Sequence, residues 1–216
     1  MTLGQAAQLM IGTPASGGTV HLGFVSTLLG LRAAGVAFTL VDARHERATA
    51  RARNALVATF HARRSFTHLL FLYADLGLAA GSIERMLSHA RDAVAAPVPL
   101  EVADARDERR FDIGQAVGET GPLVIVDAVG AGALLLSRRA VDALVGDATS
   151  DGRVYEGPPG AGDAAARVHY DVFRAGAFDG AYRSEDPFAS ARLRRLGFAI
   201  HVDPAIVVSR REPTVT

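Results

Sequence analysis

The sequence predicts an α/β fold: a single domain with a mostly parallel central sheet and helices on both faces. Short apolar runs that end in turn residues alternate with stretches of helical periodicity, and such alternation builds a sheet covered on both sides. Composition agrees. Of 216 residues, 49% are hydrophobic and 21% charged, with many Ala and Gly and few aromatics, which suits a core of small aliphatics and argues against disorder.

Leu9-Met10-Ile11 is an apolar run that ends in the turn-rich segment 12–18, so a first strand opens into a loop. Apolar residues then recur at helical spacing from His21 to Ala34, and Gly35 supplies a stop. Val36 to Val41 reads as a buried strand, Ala48 to Phe60 as an Ala-rich helix, and Phe66 to Leu72 as a third strand. A helix follows from Ser82, its expected N-cap, to His89. Further on, Pro122 to Val129 reads as a strand, Ser137 to Val145 as a helix, and Pro187 to Leu196 as a helix with Arg192, Arg194 and Arg195 on its polar side. Ala199 to Val202 and Ala205 to Val208 are short strand-like runs. The Gly- and Pro-rich stretch from Gly146 to Ala166 reads as a mobile surface loop, with a substrate lid and plain disorder both open.

Several function classes drop out. Lys plus Arg and Asp plus Glu each total 23, so no net field draws the chain to nucleic acid. The absence of Cys removes thiol chemistry and Cys-based zinc sites. Met1 to Gln8 lacks a basic region, and Gly30, Arg32 and Gly35 interrupt the apolar stretch Leu22 to Val41, so a cytoplasmic protein without a membrane span is expected. Neither Gly17-Gly18 nor Gly130-Ala131-Gly132 completes a dinucleotide fingerprint, and no P-loop, zincin or nucleophile-elbow pattern is present.

Four groups of residues could carry chemistry. Asp75 follows the apolar third strand, at the strand end where α/β sheets bind ligands; a turn-capping role is the competing account. Ser184-Glu185-Asp186 precedes a helix and suits either N-terminal capping or a general base aimed at a hydroxyl. Arg51, Arg53 and Asn54 share a helix, where guanidinium groups either hold a diphosphate or simply face water. His169-Tyr170-Asp171 could ligate a metal, though a structural role fits it better.

In order along the chain, Ile11-Gly12-Thr13-Pro14, Ala52-Arg53-Asn54-Ala55-Leu56-Val57, Thr67 to Gly77, Val129 to Arg139 and Ser184-Glu185-Asp186 resemble GT-A glycosyltransferases, particularly small bacterial proteins of the broad family-2 group. The resemblance spans nearly the whole chain. It implies a GT-A-like, Rossmann-like fold with a nucleotide-binding part near residues 8–100 and an acceptor and catalytic part near 120–212. The implied donor is a UDP- or GDP-linked sugar and the implied acceptor a hydroxyl. Thr13 and Pro14 would line the base pocket and Arg53 would lie near the phosphates, with Asn54, Tyr73, Asp75, Gly132, Arg210 and Arg211 completing the donor site.

In such enzymes an Asp-x-Asp motif holds a divalent cation on the phosphates. Here Tyr73 occupies the first position, leaving Asp75 as the implied ligand for Mn²⁺ or Mg²⁺. The family's Glu-Asp pair implies Asp186 as base with Glu185 beside it, and an inverting outcome. A His often found after the last strand gives way to Ser209-Arg210-Arg211, so Arg210 or Arg211 is expected to replace the metal's charge. A non-catalytic nucleotide-sugar-binding protein is the alternative. A nucleotidyltransferase falls behind both, because Gly12 to Gly18 holds no Lys or Arg for a triphosphate.

Overall fold

The computed structural model describes residues 8–15, 17–44, 46–100, 110–157 and 167–210. It opens with β1 (Leu9–Thr13), α1 (Leu22–Ala33), β2 (Phe38–Asp42), α2 (Thr49–Ala62) and β3 (His68–Leu72). α1 begins where His21 Nδ1 accepts from the Gly23 N–H at 3.2 Å. It stops at Gly35, whose φ of 74° lets the Gly35 N–H reach Arg32 O (3.1 Å) and the Val36 N–H reach Leu31 O (3.0 Å). That stop delays β2 to Phe38. β2 is also half exposed instead of buried as its composition suggests, because it is an end strand with β1 as its sole neighbour.

The chain continues through β4 (Leu76–Leu78), α3 (Ser82–Ser88), β5 (Ala93–Ala95), β6 (Ala116–Thr120), β7 (Leu123–Val126), β8 (Ala133–Ser137) and α4 (Arg138–Ser150). Two short antiparallel pairs follow, β9 (Val154–Glu156) with β10 (Val168–Tyr170) and β11 (Gly176–Phe178) with β12 (Ala181–Arg183). α5 (Glu185–Arg195), β13 (Ile200–Val202) and β14 (Val208–Arg210) complete the order. Two local readings of the sequence are corrected. The N-cap of α3 is Gly81 at φ 78°, and Ser82 is instead the buried first helical residue. Residues 146–150, read as loop, complete α4, which ends at Ser150 ahead of Gly152 at φ 66°, and 154–156 pair into β9; residues 158–166 lie outside the described residues.

One eight-stranded sheet runs in the order β2, β1, β3, β8, β5, β13, β7, β6. β7 and β8 run against the other six strands, so the sheet is mostly parallel in strand direction. Alternate residues of each strand enter opposite cores. Met10, Leu69, Phe71 and Leu134 join Leu56, Phe60, Val141 and Leu193 from α2, α4 and α5. Leu9, Ile11, Leu70, Leu72 and Leu135 join Phe24 and Leu31 of α1 and Ile83 and Met86 of α3. This period-two split is why the strands read as continuous apolar runs, and burial of each large side chain stabilises by about 1.5–3 kcal/mol. Among the described residues, no helix is long and apolar enough to cross a membrane.

α1 packs backbone to backbone on β4. A Cβ at Gly77 would stand 2.7 Å from Ser209 Oγ and 2.9 Å from Gly23 Cα, so neither face has room for one. Gly30, in the middle of α1, has nothing within 4 Å of its would-be Cβ. Gly77→Ala is therefore expected to destabilise by about 1–3 kcal/mol through overpacking. Gly30→Ala is expected to stabilise by about 0.5–1 kcal/mol through helix propensity. Urea unfolding of both variants checks this, and equal midpoints would contradict the packing assigned to Gly77.

Candidate functional site

From β1 the chain leaves toward β2, and from β3 toward β5, so a crevice opens between the C-terminal ends of β1 and β3. A cavity of about 650 Å³ lies there, lined by Pro14 beyond β1, by Tyr73 and Asp75 beyond β3, and by His21 and Thr49 at the starts of α1 and α2. Backbone bonds hold its walls: the His21 N–H donates to Ala74 O (2.8 Å) and the Tyr73 N–H to Gly132 O (2.9 Å). Thr13, the last residue of β1, is buried, and its Oγ1 has no hydrogen-bond partner among the described residues. Gly132 brings the backbone close to Tyr73, since a Cβ there would lie 3.5 Å from Tyr73 Cδ2 and 3.3 Å from Val98 Cγ2.

Tyr73 connects the cavity to a buried ion pair. The Arg53 guanidinium lies 5.3 Å from the centroids of both the Tyr73 and Phe173 rings, within cation–π range. Its Nη1 donates to Asp186 Oδ1 and its Nη2 to Oδ2 (3.2 Å), while the Ala131 N–H donates to the same Oδ2 (3.2 Å). Arg53 is 3% exposed, unlike Arg51, which reaches into water and pairs with Glu46 at 2.6 Å. Burial pushes the Asp186 carboxyl up, against the pull of Arg53 and the Ala131 amide, and the charge of Asp112 adds to the rise. A carboxylate offers about four lone-pair sites. Three are engaged here, leaving one on Oδ1. Glu185 stands beside Asp186 as the half-buried first residue of α5.

Asn54 departs from the donor-contact role implied by the resemblance. It is fully buried; its Nδ2 donates to Asp171 Oδ1 and Phe173 O (both 3.1 Å), and its Oδ1 accepts from the Phe173 N–H (2.9 Å). With both ends of its amide committed, Asn54 fixes the 171–173 segment and hence the Phe173 ring against Arg53. His169, on β10, is likewise buried and packs edge-on against Tyr155 with centroids 5.4 Å apart, a structural placement.

Asp75 is paired. Arg210 Nε donates to its Oδ2 at 2.9 Å, in a register set by β14 on β4, where Arg210 faces Leu76 and Ser209 faces Gly77. Arg211 lies outside the described residues. Among the described residues no three His, Asp or Glu side chains converge as a cation cage. With Tyr73 in place of a carboxylate and Asp75 committed to a guanidinium, the residues present do not fit the divalent cation that the resemblance implies.

Asp112, which the sequence analysis does not single out, joins these residues. Its carboxylate covers Gly130, where a Cβ would stand 1.6 Å from Oδ2. Burial pushes the Asp112 carboxyl up, while Arg53 and Arg210 pull it down. No sequence motif marks it.

The fold is shared with A197 from STIV. That match covers 95% of this chain and 85% of that one, with a TM-score of 0.54 and 12% identity, and so concerns fold alone. A mannose-1-phosphate geranyltransferase from Thermus thermophilus overlaps over 65% of this chain and 60% of its own, at 13% identity and a TM-score of 0.42, too shallow an overlap to bear on function. No protein-family model and no curated protein sequence matches the chain.

The role given to Asn54 has a direct consequence. Asn54→Ala would leave the buried Phe173 N–H without an acceptor, and is expected to destabilise by about 1–3 kcal/mol. Urea unfolding measures it; an unchanged midpoint would show that the 171–173 segment is held by other contacts.

Proposed function

We propose that the chain is a glycosyltransferase that moves a sugar from a nucleoside-diphosphate donor to an acceptor hydroxyl without depending on a divalent cation. The observation that carries this reading is the shared Tyr73: the crevice cavity at the ends of β1 and β3 and the buried Arg53–Asp186 pair meet at its ring. The cavity suits the donor, with Pro14 beside the base and Arg53 toward the phosphates. Two of the four buried polar side-chain atoms without partners among the described residues, Thr13 Oγ1 and Arg53 Nε, belong to residues that adjoin the cavity-lining Pro14 and Tyr73.

Asp186 would act as base through the lone pair left on Oδ1, and a carboxylate raised by burial accepts a proton more readily than a solvated one. The acceptor O–H proton passes to Asp186 as the acceptor oxygen bonds to the anomeric carbon and the bond from that carbon to the diphosphate breaks. Attack opposite the leaving group inverts the centre. Arg210, paired with the cavity-lining Asp75, would add positive charge for the departing diphosphate. A non-catalytic nucleotide-sugar-binding protein is the second reading, favoured by the three hydrogen bonds that already hold Asp186.

Calorimetric titration of UDP, GDP and their sugar conjugates, each with and without Mn²⁺, tests the pocket: one sugar nucleotide is expected to bind with unchanged affinity when the metal is removed. Asp186→Asn is expected to keep donor binding and lose about 10²–10⁴-fold in transfer. Obligatory Mn²⁺, or full transfer by Asp186→Asn, would overturn the mechanism; tight binding with no turnover by the unmodified chain would select the binding protein.

A further inference from the structure

Asp112 is held in place entirely by backbone. Its N–H donates to Val98 O (2.8 Å), its carbonyl accepts from the Gly130 N–H (2.9 Å), and its neighbours Phe111 and Ile113 form bridges to Pro99 and Val129. Its side chain then folds over Gly130, with Oδ2 1.6 Å and Cγ 2.2 Å from where a Cβ would be, so only glycine leaves the carboxylate this seat. One residue further, the Ala131 N–H holds Asp186. Two carboxylates from separate parts of the chain thus stand over consecutive residues of one loop.

Their surroundings differ. Asp186 receives three hydrogen bonds, whereas no donor among the described residues reaches the Asp112 carboxylate. Asp112 feels Arg53 and Arg210 through space, and burial outweighs both. A half-buried carboxylate without donors costs stability, and its sign of charge is what it offers in return.

We propose that Asp112 is a positioning residue for Asp186, its negative charge across Gly130–Ala131 offsetting the hold of Arg53 on that carboxylate. Arg53 alone would make Asp186 a poor proton acceptor, because protonating one member of an isolated ion pair leaves an uncompensated cation. With Asp112 present, the three groups carry one net negative charge before proton transfer and none after it. Arg210 from β14, itself paired with Asp75, also acts on Asp112 through space, and Glu185 adjoins Asp186 in sequence at the start of α5. The catalytic part of this inference rests on the proposed transferase reading; the electrostatic part does not.

Asp112→Asn preserves size and removes the charge. In the full chain with ¹³C-labelled Asp carboxyls, the Asp186 resonance, assigned with Asp186→Asn, is expected to titrate at lower pH in Asp112→Asn than in the unmodified protein. An unmoved titration would overturn the proposal whether or not the protein transfers sugar. The folded state holds Asp112 with a raised carboxyl, so it opposes folding above that pKa and ceases to as pH falls through it. Asp112→Asn is therefore expected to melt higher than the unmodified chain at pH 8, with the difference shrinking on acidification. A lower melting temperature at pH 8 would make Asp112 a structural residue and sink the proposal. If the transfer assay is active, the acid limb of its pH profile should move down with the Asp186 titration, and turnover should fall about tenfold, less than for loss of the base itself. A titration that moves in a chain with no turnover would leave the Asp112–Asp186 coupling standing and refute the transferase reading alone.

Discussion

Arg53 and Asp186 come from positions 133 residues apart, and their union is what makes the two halves of the chain one site. Burying two opposite charges is costly unless further bonds offset their desolvation. Here those bonds are supplied by the Ala131 amide and by the flanking rings of Tyr73 and Phe173. Each supporting group needs its own support. Phe173 is set by the Asn54 amide, Tyr73 by the Gly132 carbonyl, and Ala131 by the loop on which Asp112 rests.

The rim of the cavity repeats the pattern. Arg210 and Asp75 are 135 residues apart and meet because β14 lies antiparallel on β4. The same contact includes Gly77, against which α1 leans through Gly23. The tilt of α1, whose first turn walls the cavity, and the place of the arginine at its mouth are thus fixed by one patch of backbone where no side chain fits.

Much of the fold was legible in the sequence because it rests on local periodicity. β1, β3 and α4 are strongly patterned, and Ser137, where the helix is expected to begin, caps α4, accepting from the Ala140 N–H at 3.2 Å. What failed was non-local. Nothing in Phe38–Asp42 says that the strand lies at a sheet edge, and the three-residue strands β9 to β12 are too short to show a period. Of the candidate site, the sequence singled out Asp75 because it follows an apolar strand and Asp186 because it precedes or opens a helix, whereas Tyr73 stood out only through the resemblance. The burial of Arg53, the commitment of Asn54 to Phe173 and the pairing of Asp75 with Arg210 were not, since each depends on a partner more than a hundred residues away. Asp112 was invisible for a different reason: in a stretch rich in charge, one more carboxylate carries no mark until Gly130 is found beneath it.

The place of β13 in the sheet bears on how the chain acquires its structure. Ile200–Val202 sits between β5 and β7, bonded to both, and links the β7–β6 ribbon to the remainder. A growing chain that has produced β1 to β8 therefore holds two unconnected pieces of sheet with raw strand edges facing each other. The pairing that joins them has high sequence separation, and such closures are slow and leave interim edges open to mispairing. During synthesis the continuous sheet can close only once these three residues have emerged, which makes β13 its keystone.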